Sequence, residues 1–226
     1  MDRLDDFADS LGPPRFAFMM PVRPLPREFY SPSADLVAPR LLGHWLLRRT
    51  AAGWCGGPIV ETEAYLVDDP AAHSFRGRTP RNQAMWGPPG HAYVYFIYGN
   101  HYCVNAVCRP VDFAEAVLIR ALEPEVGGDH MRARRPVAQP FALTNGPGKL
   151  CAALDIGKAL NGGDLCAADS PLIIAENPAV ADFRAARGPV VTSPRIGIRQ
   201  AAELPLRFHL AASPYVSRRP ARPVKS

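Results

Sequence analysis

The stretch Pro58-Ile59-Val60-Glu61-Thr62-Glu63-Ala64-Tyr65 decides how the rest of the chain is read. Isoleucine, valine, threonine and tyrosine suit a pleated, half-buried surface, so the segment predicts a strand. Side chains alternate across a strand, which puts Glu61, Glu63 and Tyr65 on one face and Val60, Thr62 and Ala64 on the other. Two carboxylates in line on one face repel unless they are solvated, paired or given chemical work. Taken alone, the segment reads first as a solvated strand face.

Working outward, residues 45–49 predict a partner strand across the turn-prone Ala51-Ala52-Gly53. Residues 33–42 predict a helix that Ser33 can cap, with Pro39 an awkward residue inside it. Residues 79–86 suggest a short helix ended by Gly87-Pro88-Pro89-Gly90. Strands are expected over 91–98, 102–108 and 115–122, and later near 172–175, 195–199 and 206–210. A helix is expected over 147–154, and Arg132, Arg134 and Arg135 fall in a polar connection. This order predicts a mixed α/β or α+β single domain on a mostly antiparallel sheet. The proline-rich residues 1–30 read as an arm, 31–217 as the domain, and 218–226 as a basic, proline-rich tail.

Of the 226 residues, 47% are hydrophobic, enough to bury a core. No run approaches the ~20 apolar residues of a membrane helix. Asp2, Asp5, Asp6 and Asp9 at the N-terminus do not suit a signal peptide, so a soluble intracellular protein without membrane contact is expected. A net charge of +5 permits a polyanionic partner without demonstrating one. Cys55, Cys103, Cys108, Cys151 and Cys166 are scattered, form no C-x-x-C pair and have no histidine cluster to complete a metal site. They read as reduced core thiols, and no metal is expected.

Three other segments hold polar residues of interest. His73-Ser74, with Arg76, Arg78 and Arg81 following, offers a hydrogen-bonding ring and phosphate-binding cations, or simply a polar surface loop. Tyr93 and Tyr95 share one strand face while Tyr98 falls on the other; tyrosines on a sheet are usually packing, but they also suit base stacking. Asn145-Gly146-Pro147-Gly148-Lys149 opens a helix and could hold a phosphate, a weak signal by itself.

Together these segments cease to look independent. Glu61-Thr-Glu-Ala-Tyr65, His73-Ser74, Thr79-Pro-Arg-Asn82, Gly90-His-Ala-Tyr-Val-Tyr-Phe-Ile-Tyr-Gly99, Arg120-Ala-Leu-Glu-Pro124 and Asn145-Gly-Pro-Gly-Lys-Leu-Cys151 stand in one order along the chain. That set closely resembles the alkyladenine (3-methyladenine) DNA glycosylase family, from about Leu36 to Ser217, and Pro205-Leu-Arg-Phe208 and Ser213-Pro214 fit it too.

The resemblance implies a compact α/β domain with a curved antiparallel sheet, surrounded by helices, and a DNA glycosylase that acts on damaged purines in duplex DNA. It implies that Glu63 deprotonates the attacking water, a choice over Glu61 that alternation cannot make. Arg120 would help to hold that water, with the main chain around Arg195-Ile196-Gly197 nearby. Tyr65 and Tyr95 would stack on the extruded base, His73 would stack and bond its edge, and Asn105 would crowd the amino group of guanine. Tyr98 would enter the minor groove, and Arg76, Arg81, Lys149 and Asn100 would contact DNA. No lysine stands at a nucleophile position, which implies a monofunctional enzyme that leaves an abasic site. No cofactor is implied, and a monomer in the cytoplasm, or on the nucleoid of a bacterium, is expected. Two residues depart from the family pattern: Asn100, where methionine is common, and Trp86, where phenylalanine is usual. Two other readings are an idle base-binding or RNA-binding module on the same scaffold and a free-nucleoside hydrolase. The pairing of Glu63 with Arg120 argues against the first, and the arginine loops with Tyr98 against the second.

Overall fold

A computed structural model describes residues 22–217. The expected tail over 218–226 lies outside the described residues, as does the arm before residue 22. The last part of that arm is packed down: the Leu25 N–H donates to the Ile174 carbonyl at 2.8 Å, and Tyr30 is fully buried.

Strand β2 (Gly53–Tyr65) organises everything else, because it belongs to two curls of one sheet. Its first half pairs with β1 (Trp45–Thr50), which pairs in turn with β6 (Leu172–Ala175). Its second half pairs on one side with β5 (Glu115–Leu122) and on the other with β8 (Arg207–Leu210). Beyond β5 lie β4 (His101–Cys108) and β3 (Ala92–Ile97), and β7 (Val190–Ser193) flanks β8. All these pairings are antiparallel. The result is the expected mixed α/β domain with a curled antiparallel sheet.

The bend in β2 rests on Gly56 and Gly57. A Cβ at Gly57 would sit 1.8 Å from the Glu123 carbonyl oxygen, and one at Gly56 2.0 Å from that of Leu46. Only glycine lets two neighbouring chains approach that closely. Past this point the β2–β5 register shifts twice, between Ile59 and Glu61 and between Glu61 and Thr62, passing over Val60 and Arg120. Such bulges bend a strand and re-aim a side chain.

Helix α1 (Ala34–Leu41) covers the inner face with Val37, Ala38 and Leu41 fully buried. Pro39 sits inside α1 without ending it, and Thr62 Oγ1 donates to the Ala38 carbonyl at 3.0 Å. Helix α3 (Pro147–Ala153) buries Leu150 and Cys151 as expected. Several expectations need correction. Arg132 and Arg134 lie on a helix, α2 (Gly128–Arg134), whose only buried residue is Met131, so no apolar period marked it. Helix α4 (Val180–Arg187) buries no residue and was invisible for the same reason. Residues 79–86 form only a 3₁₀ turn over Gln83–Trp86. Residues 195–199 are not a strand; the strand is β7, which stops before Pro194.

Gly57→Ala forces the backbone of Glu123 away from β2. We expect a loss of about 3 kcal/mol, the upper range for overpacking. Thermal melting should therefore fall by about 6–12 °C for a domain of this size. An unchanged melting temperature would mean that β2 and residues 123–125 are not held together there.

Candidate active site

The bulge in β5 aims Arg120 between the two glutamates of β2. Its Nε donates to Glu61 Oε1 at 2.9 Å, and its Nη1 lies 3.0 Å from Glu63 Oε2. Glu61 and Glu63 have no solvent exposure, and Arg120 has 6%. Burial works against the guanidinium charge, but Glu63 and Glu61 outweigh it and hold its pKa above the usual arginine value.

The two glutamates have different surroundings. Glu61 takes four donors: Oε1 accepts from Arg120 Nε, Arg207 Nε at 2.6 Å and Ser217 Oγ at 2.8 Å, and Oε2 from the Ser217 N–H at 2.6 Å. Glu63 accepts from Tyr65 Oη at 3.0 Å and Arg120 at Oε2, and from the Ile196 N–H at 2.7 Å at Oε1. Glu61 therefore takes four donors and Glu63 three, and the open position on Glu63 is at Oε1, which has a single donor. The geometry thus separates two residues that strand alternation leaves equivalent.

In front of Glu63 lies a cavity of about 610 Å³. Strands β3, β4, β5 and β2 pave it in turn with Tyr95, then Cys103 and Asn105, then Leu118 and Arg120, then Tyr65. His73, Tyr93, Tyr98, Lys149, Ile196 and Gly197 complete the wall and mouth. Glu63 stands behind Tyr65, Arg120 and Ile196 rather than on the open surface.

Tyr93 and Tyr95 stack at 5.3 Å, and the His73 ring meets Tyr95 edge-on at 4.4 Å. His73 Nδ1 lies 2.9 Å from the Tyr93 hydroxyl. His73 is an exposed residue, but its partial burial against these rings, and then the Arg81 cation, lower its pKa, so the imidazole is neutral at pH 7. Burial raises the Tyr95 hydroxyl well above its usual range and pushes Tyr93 up to about 12. Burial and then Glu63 raise Tyr65, so all three rings stay neutral. Asn82 holds the His73 loop, its Nδ2 donating to the His73 and Gly77 carbonyls at 2.8 and 2.9 Å.

Tyr98 departs from the expected strand alternation. It lies just past β3 with φ +54° and 76% exposure, and this left-handed turn swings it to the cavity mouth. Its hydroxyl is 3.9 Å from where a Cβ would stand at Gly197. Asn105 Nδ2 donates to the Tyr93 carbonyl at 2.9 Å. Lys149 Nζ donates to Asn145 Oδ1 at 2.7 Å at the cavity edge, where partial burial and then Arg135 lower its pKa. Of the other expected DNA contacts, Arg81, Arg76 and Asn100 are exposed and do not line the cavity. Arg81 Nη2 donates to the Phe96 carbonyl at 3.0 Å. Arg78 pairs with Asp112 and covers Trp86.

Sequence reasoning missed several participants. Arg207 and Ser217 fix Glu61, Tyr93 fixes His73, and Cys103 lines the floor. Arg207 and Tyr93 lay within quoted motifs, but nothing local marked them as partners of residues 146 and 20 positions away.

A sequence profile described as methylpurine-DNA glycosylase matches residues 28–214. The chain belongs to the methylpurine-DNA glycosylase family. It is 50% identical over 195 residues to a protein of Methanoculleus marisnigri named "Putative 3-methyladenine DNA glycosylase", covering 86% of this chain and 99% of that one. A protein of the same name from Rhodopseudomonas palustris is 50% identical over 194 residues, covering 86% and 88%. Another, from Carboxydothermus hydrogenoformans, is 45% identical over 195 residues, covering 86% and 99%. Among the described residues no helix is long and apolar enough to cross a membrane.

Because Glu61 pairs with two buried guanidiniums, Glu61→Gln should cost about 3–5 kcal/mol, as when one member of a buried pair is removed. Chemical denaturation of the two single variants checks this: Glu63→Gln, with its single ion pair, should lose clearly less stability than Glu61→Gln.

Proposed function

We propose that this protein is a base-excision glycosylase that takes alkylated or deaminated purines out of duplex DNA and hydrolyses their N-glycosidic bond. The observation that carries the reading is one cavity that brings Tyr65, His73, Tyr95 and Asn105 together directly in front of the Glu63–Arg120 pair. An extruded purine enters between Tyr65 and Tyr95, with neutral His73 offering its ring and a hydrogen bond at the base edge. Alkylated purines are cationic, and neutral electron-rich rings favour them by about 0.5–2 kcal/mol. Asn105 screens the base by what it crowds.

Glu63 uses the second lone pair of Oε1 to take a proton from water held beside Arg120 and the Ile196 amide. The water oxygen bonds to C1′ of the sugar as the C1′–N bond breaks, and its electron pair leaves with the purine. A cationic purine departs neutral, while a neutral purine departs as its anion and takes a proton from solvent water. Positive charge that develops on the sugar is stabilised by the Glu63 carboxylate. Tyr98 fills the stack vacated by the base, offsetting an unstacking cost of a few kcal/mol. Arg76, Arg81, Lys149 and Asn100 contact the DNA around it.

The test is excision from a duplex that carries one hypoxanthine or ethenoadenine, with and without hot alkali. Wild type should give strand breaks only after alkali. Glu63→Gln should lower the single-turnover rate about 10²–10⁴-fold, the usual contribution of a general base. Its duplex affinity should remain. No excision from these or from alkylated DNA would overturn the reading, and breaks without alkali would move attention to Lys149 as a nucleophile.

Duplex binding should also weaken steeply with salt. Arg81→Ala and Lys149→Ala should each reduce the slope of log affinity against log salt by about 0.9, the loss of one phosphate contact. A slope near zero together with turnover of free nucleosides would point to a nucleoside hydrolase.

A further inference from the structure

Arg195 follows Pro194 in the bend after β7, and its side chain is fully buried. Its guanidinium pairs with both oxygens of the buried Asp69, Nη1 with Oδ2 and Nη2 with Oδ1 at 2.9 Å. Nη1 also donates to the Ala64 carbonyl at 3.0 Å, and Nη2 to that of Ala201 at 3.3 Å. One cation therefore ties the end of β2, the loop leading to His73 and the far side of its own bend. The guanidinium carbon lies 4.7 Å over the Tyr65 ring, and Nε has no hydrogen-bond partner among the described residues. Burial works against this charge, but Asp69 outweighs it and raises the pKa above the usual arginine value.

What Arg195 ties down is what holds Glu63. The next residue supplies the Ile196 N–H, 2.7 Å from Glu63 Oε1, and the ring that it covers carries the hydroxyl 3.0 Å from Oε2. The remaining partner, Arg120, is fixed separately by Glu61 and Ser217.

We propose that Arg195, in bidentate pairing with Asp69, is a positioning residue for hydrolysis. It sets the Ile196 amide and Tyr65 against Glu63 and joins the two loops that flank the base cavity. This inference rests on Glu63 being the water-activating group. An arginine is required because its flat fork bonds two oxygens while its face lies on a ring, which a lysine ammonium cannot do. The pairing with Asp69 also leaves no uncompensated positive charge behind the ring on which a cationic purine stacks.

Arg195→Gln alone strands a buried carboxylate and can fail to fold. The decisive variant is therefore Arg195→Gln with Asp69→Asn, which leaves no unpaired charge, compared with Arg195→Lys. Single-turnover excision, duplex affinity, melting and hydrogen exchange of the Ile196 amide are measured for each. The double variant should melt cooperatively and bind duplex nearly as wild type, yet excise at least about tenfold more slowly, as expected when a transition-state interaction is lost. Its Ile196 amide should exchange faster.

Arg195→Lys should recover only part of the rate, and full recovery would overturn the bidentate role. A wild-type rate per folded molecule, with slow Ile196 exchange, would overturn the proposal. If wild type excises no base, the glycosylase reading fails. Exchange of the Ile196 amide then decides the positioning of that amide alone: faster in the variant supports it, unchanged overturns it.

Discussion

Two carboxylates of one strand stay buried together only because two guanidiniums are buried with them. Glu61, Glu63, Arg120 and Arg207 sum to no net charge, and each lies within 3.0 Å of an opposite partner. Moving a single ion out of water costs several kcal/mol, and only close, fully bonded geometry returns it. The requirement reaches into the backbone. The bulges of the β2–β5 ladder bring Arg120 between its two partners, and the glycines of β2 let residues 123–125 lie close enough to hold the bend.

The same cluster divides labour between neighbours of identical chemistry. Glu61 takes its four donors from arginines and Ser217, and so becomes an anchor. Glu63 has a bonding position in reserve beside a cavity walled by neutral rings. What distinguishes them is the hydrogen-bond inventory, two residues apart on one strand face.

Much of this was legible in the sequence where the cause was local. Strand preference in 58–65, alternation at Tyr93 and Tyr95, and the glycine-opened α3 all come from short-range rules, and the observed elements follow them. The cavity residues were legible through a set of motifs in fixed order rather than through any one of them. What escaped had non-local causes. Alternation placed Tyr98 on the wrong face because the strand ends at Ile97 and Tyr98 is itself left-handed. A strand expected at 195–199 is a bend because Arg195 turns inward to Asp69, 126 residues earlier. Helices α2 and α4 bury too little to show a period.

The bonds to Glu61 have a consequence for the chain while it is being made. Its partners are Arg120, Arg207 and Ser217, which lie 59, 146 and 156 residues further on. A nascent chain that has exposed β2 therefore carries two carboxylates that cannot be buried until almost the whole described domain has left the ribosome. Until then this strand must stay hydrated, and the sheet cannot close around it. Assembly of this buried cluster and completion of the fold become one late event, so a truncated product carries no half-built cluster.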